Sequence, residues 1–357
     1  MPAPKRTRSS LLLPCAGKSS RYPGMPPKWM LPTPDGKIVI EKAVMSVDTD
    51  CFDRILVAIR QDHDQKYQAA ALVTRVLGRR AEVLTIVGDT RGPADTVARM
   101  IAHFGIRGPI SIKDSDTFFR TLKTSADSFV AACDLRGQAD MARVASKSFL
   151  QINEQGNIVR IVEKQVCSNF VSAGLYGISS GALYLGIFNN LVAQAEEQTE
   201  LFVSHVLSAA ITQGELVRPC FVQDFVDIGT IADWRTYCRN NGTVYVPVDG
   251  VLVQSGQLYE SAPEGIVMLP GNVEFVRALQ KKGAQIILVS QRPKAARQRV
   301  ARIARQCGIR PHAIIMECRS SIQTLVNDYS PDAFHPVADA IEFPRDSDRL
   351  RHHFEFD

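Results

Sequence analysis

The sequence predicts an α/β protein in two parts, each built on a mainly parallel sheet. Strand-like apolar runs alternate with stretches of helical periodicity over the first two-thirds of the chain, the pattern of strand–helix–strand units that stack parallel strands. The alternation stops at the turn-rich Arg239-Asn240-Asn241-Gly242 and then restarts, which marks a domain boundary. A chain of 357 residues, 45% hydrophobic and 22% charged, is long enough for two separate cores. The expected division is a disordered basic tail at residues 1–8, a larger domain at 9–240 and a smaller one at 241–357.

The elements follow in order. Residues 10–14, 54–59, 81–87 and 109–113 are short apolar or β-branched runs and read as strands, whereas 64–77 and 94–104 repeat apolar residues at helical spacing. From Ser148 the character changes, and residues 149–152 and 158–161 flank a polar turn at 153–157, an antiparallel hairpin. Helices are expected near 180–193 and 201–213, an extended run at 216–226 and a short helix at 231–238. In the second domain, 243–248, 285–290, 313–316 and 324–326 read as strands. Residues 272–282 and 294–307 read as helices stopped by Gly283 and Gly308.

Composition excludes several classes. The net charge of +5 comes from interspersed acids and bases, so no nucleic-acid footprint is expected. No stretch reaches the roughly 20 apolar residues that span a membrane. The basic Lys5-Arg6-Thr7-Arg8 before Leu11-Leu12-Leu13 is interrupted too soon, by Pro14, Gly17, Lys18 and Arg21, to be a signal peptide. The eight cysteines form no C-x-x-C pair, which argues against zinc and for reduced thiols in a cytoplasmic protein.

The first strand opens into Pro14-Cys15-Ala16-Gly17-Lys18-Ser19-Ser20-Arg21, followed by Pro27-Lys28-Trp29. Small residues after a strand let backbone N–H groups approach phosphate, and two nearby cations can neutralise a leaving pyrophosphate. Neither G-x-x-x-x-G-K-[ST] nor G-x-G-x-x-G is present, and a tight turn with a solvated basic face is the bland alternative. Two aspartate segments also end strands: Asp114-Ser115-Asp116, and Asp227-Ile228-Gly229-Thr230. Ligands of open α/β sheets gather beyond such carboxyl ends, although an Asp there also serves as a turn or helix cap.

Taken together, strand, A-G-x-x-S/G-R, P-K, D-x-D and D-x-G-T in this order resemble the sugar-phosphate nucleotidyltransferases. The resemblance implies a glycosyltransferase-A-like, Rossmann-related fold. It implies that Ala16, Gly17, Lys18, Ser19 and Ser20 hold a triphosphate contacted by Arg21 and Lys28. It also implies that Asp116 and Asp227 bind Mg²⁺, with Asp114 a neighbour acting through water. Asp89-Thr90-Arg91-Gly92-Pro93-Ala94-Asp95-Thr96 is a helix start on its own terms. It resembles the family's base-reading segment, in which Arg91, Gly92 and Ala94 face the nucleobase. Glu163-Lys164 at the hairpin end and Gly174 in Asn169–Tyr176 resemble the acceptor site, with Gly174 leaving room for substrate. His205, on an apolar helix, reads as a packed histidine.

The resemblance implies transfer of NMP from CTP, UTP or dTTP to a sugar phosphate or alditol phosphate, with pyrophosphate release, in the supply of a surface polysaccharide. The partners are then an NTP and a small phosphorylated substrate, with homo-oligomers left open.

In the second domain, Pro247-Val248-Asp249-Gly250-Val251-Leu252, a strand ending at Ser290, and Asn327-Asp328 resemble three motifs of the haloacid-dehalogenase superfamily. Pro247 stands where that superfamily has its nucleophilic aspartate, and no lysine stands just ahead of Asn327. A phosphatase lacking both is expected to be inactive. The competing functions are a phosphatase with an accessory nucleotide-binding domain and a non-catalytic nucleotide-sugar sensor or scaffold.

Overall fold

The computed structural model describes residues 9–19, 25–124, 126–137, 146–196, 198–255, 267–319, 324–326 and 338–355. The basic tail expected at 1–8 lies outside them, as do Ser20, Arg21 and Asn327-Asp328. The chain divides into two units, Met1–Asp233 and Trp234–Asp357.

The first unit is α/β, as predicted. Its strands and helices are β1 (Ser10–Cys15), α1 (Val39–Met45), β2 (Arg54–Arg60), α2 (Gln61–Tyr67), α3 (Ala69–Leu77), β3 (Ala81–Ile86), α4 (Pro93–Phe104), β4 (Ile110–Lys113), β5 (Thr117–Phe118), β6 (Phe129–Asp134), β7 (Ser148–Ile152), β8 (Ile158–Glu163), β9 (Phe170–Ile178), α5 (Gly181–Gln194), α6 (Val203–Thr212), β10 (Arg218–Phe221) and β11 (Val226–Asp227), and α7 (Ile231–Asn241) carries the chain across the division between the units. The central sheet runs β10-β6-β9-β4-β1-β2-β3, with the β7–β8 hairpin attached to β9. Strands β4, β1, β2 and β3 are mutually parallel, and β9 runs against both its neighbours.

Strand β1 is apolar after Ser10 because it is buried on both faces. Leu12 packs with α4, α5 and α6, while Leu11, Leu13 and Cys15 pack with α1 and α3. Alternate side chains of a strand point to opposite faces, so one SLLLPC run joins two cores.

Three expectations fail locally. The single helix expected at 64–77 is two, broken at Gln68 with φ 51°. Helix α2 buries none of its residues and α3 buries Ala69 and Val73, so only the second half has a face to dock. Strand β6, FVAACD, was not anticipated, although five of its six residues are buried. Its continuous apolar run is the signature of a strand covered on both faces. Residues 239–241 are helical, the end of α7 rather than a turn.

The second unit carries β12 (Thr243–Pro247), α8 (Pro270–Lys282), β13 (Gln285–Val289), α9 (Arg297–Gln306), β14 (Ala313–Ile315) and α10 (Leu350–Glu355). Its strands are parallel in the order β12-β13-β14. Val300, Ile303 and Ala304 of α9 and Val273, Phe275 and Val276 of α8 fill its core. Residues 324–326 are not a strand. Leu325 and Val326 are 60% and 89% exposed, so no sheet face is there to bury them.

Candidate active site

Parallel pairing of β1 with β4, Leu12 opposite Ile112, sends the loops after Cys15 and Lys113 off the same edge side by side. Lys28 reaches that edge from a 3-10 turn, Lys28–Met30, anchored by the buried Trp29. Its ammonium forms an ion pair with Asp116 Oδ2. Asp227 arrives from far along the chain through a short antiparallel ribbon. In it β11 pairs with β5, Asp227 opposite Thr117, and the Ile228 N–H donates to the Asp116 carbonyl at 3.0 Å. The two carboxylates singled out in the sequence are therefore neighbours.

Asp227 Oδ1 accepts from the Gly229 N–H at 2.7 Å, and Oδ2 forms an ion pair with Lys147. Lys147 was not anticipated, because a lone lysine before a strand carries no signal. Desolvation pushes the Asp116 carboxyl up, but the Lys28 ammonium outweighs it and holds the group below the usual carboxylate range. Burial, seconded by Asp116, pushes Asp114 the other way. Burial also pushes the Cys15 thiol up to about 12, so at neutral pH it is no nucleophile.

Asp116 and Asp227 are hard oxygen donors on paired strands. Mg²⁺ is commonly held by one or two protein carboxylates and completes its shell with water and phosphate, so the donor set fits that ion. Each carboxylate is paired with an ammonium, which shows that the position favours positive charge. No group of three or more His, Cys, Asp or Glu suited to a metal occurs among the described residues.

The small-residue loop has Ala16 buried and Gly17 exposed, with Ser19 at φ 51°. Lys18 bonds Asp89 Oδ2 at 2.7 Å, and Asp89 Oδ1 takes Arg60 at 2.8 Å, tying this loop to the segment before α4. There the backbone expected to read the base is partly engaged by the segment before α6. The Ala94 N–H donates to the Leu201 carbonyl at 3.0 Å, and the Leu201 N–H to the Arg91 carbonyl at 2.6 Å, so the Ala94 amide is committed. A Cβ on Gly92 (φ 111°) would lie 2.7 Å from the same Leu201 oxygen. Arg91 donates to the Glu196 carbonyl at 2.6 Å, and its buried Nε has no partner among the described residues.

On the acceptor side, Glu163 Oε2 accepts from Ser148 Oγ at 2.6 Å and Ser204 Oγ at 2.7 Å, so two elements fix it. Lys164 lies over the Phe202 ring, 4.4 Å from its centroid, and its N–H donates to the Lys147 carbonyl at 2.9 Å. Gly174 needs correcting. At φ 75°, an added Cβ would lie 2.5 Å from Thr117 Oγ1 and 2.7 Å from Asp114 Oδ2. The space is filled by the carboxylate loop, not left for substrate. His205 Nδ1 accepts from the Phe202 N–H at 3.4 Å, which closes the start of α6 and gives it a structural role.

In the second unit, Pro247 ends β12 and Asp249 follows in a small cavity with Ser290 and Cys318. Arg292 grips Asp249 with two nitrogens, Nε to Oδ2 at 3.1 Å and a terminal nitrogen to Oδ1 at 2.6 Å. The two side chains are 5% and 7% exposed, so this carboxylate is already neutralised.

No protein-family model and no curated protein matches the sequence. Solved structures do. The nucleoside-diphosphate-sugar pyrophosphorylase from Vibrio cholerae RC9 aligns with a TM-score of 0.54 at 21% identity, over 64% of this chain and 99% of its own. A Bacillus anthracis protein assigned as a glucose-1-phosphate thymidylyltransferase, in complex with a sucrose, aligns with a TM-score of 0.51 at 15% identity, over 64% of this chain and 93% of its own. About two-thirds of the chain is thus similar in fold to sugar-phosphate nucleotidyltransferases.

Proposed function

We propose that the chain is a Mg²⁺-dependent nucleotidyltransferase that moves NMP from an NTP to a sugar phosphate or alditol phosphate and releases pyrophosphate. One observation carries the reading. The β5–β11 ribbon sets Asp227 beside the Asp116 loop, and both carboxylates lie against lysine at the carboxyl edge of β1 and β4.

In this reading an oxygen of the acceptor phosphate attacks the α-phosphorus in line as pyrophosphate departs. A phosphate monoester has its second pKa at about 6, so the nucleophile is already ionised and no general base is required. The protein's share is position and charge. Lys28 neutralises the triphosphate, while Lys147 and Lys164, joined through the 2.9 Å backbone bond, bring positive charge to the acceptor. Glu163, fixed by two serines, takes a hydroxyl of the acceptor. Bound Mg²⁺ supplies Lewis-acid stabilisation of charge on the phosphates. CTP is the preferred donor, with UTP and dTTP as alternatives, and the product supplies surface polysaccharide synthesis.

The test is a pyrophosphate-release screen of four NTPs against phosphorylated sugars and alditols. Turnover with one pairing, dependent on Mg²⁺, is expected. Nucleotide binding without pyrophosphate release across a broad panel would favour a scaffold instead. The second unit, in this proposal, is a haloacid-dehalogenase-like domain without phosphatase activity. Full-length protein with Mg²⁺ is expected to leave p-nitrophenyl phosphate intact, because Pro247 offers no carboxylate and Asp249 is held by Arg292. Turnover abolished by Asp249→Asn would overturn this.

A further inference from the structure

We propose that Lys113 is a positioning residue for this transfer, its buried ammonium holding in place the turn that carries Asp116 and pairs with Asp227. The assignment rests on the function proposed above.

Lysine is almost never fully buried without a partner, yet Lys113 is 0% exposed. An ammonium has three donors and no acceptor. All three point into one turn: to the Asp114 carbonyl at 2.9 Å, the Thr117 carbonyl at 2.7 Å and Thr117 Oγ1 at 2.6 Å. The contacts at Nζ are thus with the turn's backbone and hydroxyl, and residues 114–117 close around the charge. The Phe119 ring lies 5.2 Å away on the same ammonium.

The bonds continue outward. Thr117 Oγ1 accepts from Lys113 and donates to the Ala173 carbonyl at 3.0 Å. That fixes the turn against β9 just before Gly174, where no side chain fits. Thr117 is also the residue opposite Asp227 in the ribbon. One ammonium therefore sets the turn, its seat on β9 and the strand that brings in the second carboxylate.

Charge gives the same answer. Asp116 and Asp227 pair with Lys28 and Lys147, while the buried Lys113 acts on Asp114 and Asp116 through space. The Lys28 and Lys147 side chains are 24% and 12% exposed, so each ion pair has an edge at which substrate phosphate can compete for the ammonium. Lys113 has no such route. It is the counter-charge that stays when the outer lysines are drawn to substrate. A methionine would fill the same volume without the cost of burying a cation, so packing alone does not account for the lysine.

The experiment uses full-length protein and the NTP and acceptor pair found active in the screen. Lys113→Met keeps the shape and removes charge and donors. Thr117→Val removes only the hydroxyl that links Lys113 to β9. A misplacement of about 1 Å at a reacting centre costs about 100-fold. On that scale Lys113→Met is expected to lower kcat by about 100-fold and Thr117→Val by about 10-fold, each with KM for the NTP within about threefold. The double variant is expected to be no worse than Lys113→Met alone, since the two act through one bond. A purely structural role would move melting temperature and the yield of folded protein, leaving kcat per folded molecule unchanged. If Lys113→Met does not fold, Thr117→Val decides by the same criterion. Wild-type turnover with both variants within threefold of it overturns the assignment alone. A wild type silent throughout the screen overturns the reading of the site and this assignment with it.

Discussion

Asp227→Asn is expected to lower kcat by about 10² to 10³-fold while changing the melting temperature little. Asparagine keeps the shape and can still accept the Gly229 N–H through its amide oxygen. What it loses is the negative charge, and removing one preorganised electrostatic element from a transfer site costs about 10² to 10³-fold. Stability changes little because the isosteric amide keeps the packing and the Gly229 bond, and the Asp227 side chain, 20% exposed, is not sealed from water. Asp116→Asn follows the same logic with Lys28. The double variant is expected to be little worse than either single one, because groups that act as a unit are not additive. Pyrophosphate release and thermal denaturation on the same preparations read both quantities. A kcat within threefold of wild type for both single variants would remove these residues from the reaction and favour a scaffold.

How much of this was legible in the sequence depended on whether a residue's role is set locally. Strands β1 and β4 were readable because each is a short apolar run whose burial is its own signal. Lys28, Asp116 and Asp227 stood out because their residue types stand at motif positions, the two aspartates beside strand ends. Asp227 beside Asp116 was not readable as geometry, since the two-residue ribbon β5–β11 is too short to carry a periodic pattern. Lys147 and Lys113 show the same limit from opposite sides. Lys147 is one lysine in a polar stretch, and only the fold puts it on Asp227. Lys113 ends a strand, where a lysine is ordinarily exposed, and only β9 and the following turn enclose it. Gly174 was singled out for the wrong reason, because which atoms crowd a glycine is a tertiary fact. The bond from the Ala94 amide to Leu201, in the distant segment before α6, was likewise not readable from the sequence.

Arg292→Met is expected to destabilise the second unit by about 3–5 kcal/mol, the usual consequence of stripping one partner from a buried ion pair. Asp249 would be left at 7% exposure with its strongest donor gone, and the Arg292 N–H to Ser290 Oγ bond of 3.2 Å offers it nothing. For a unit of this size, 1 kcal/mol corresponds to roughly 4 °C, so its thermal transition should fall by roughly 10–20 °C. Asp249→Leu combined with Arg292→Met should recover most of that loss, since apolar pairs replace buried ion pairs with little penalty or some gain. Differential scanning calorimetry of the full chain measures both. A fall of less than about 3 °C for Arg292→Met would mean that water reaches Asp249 and the pair is not sealed. Recovery in the double variant has a functional corollary. If Asp249 can be replaced by leucine without loss of fold, the carboxylate survives in this sequence as half of an ion pair. The charge beside the small cavity then serves to hold the second unit together.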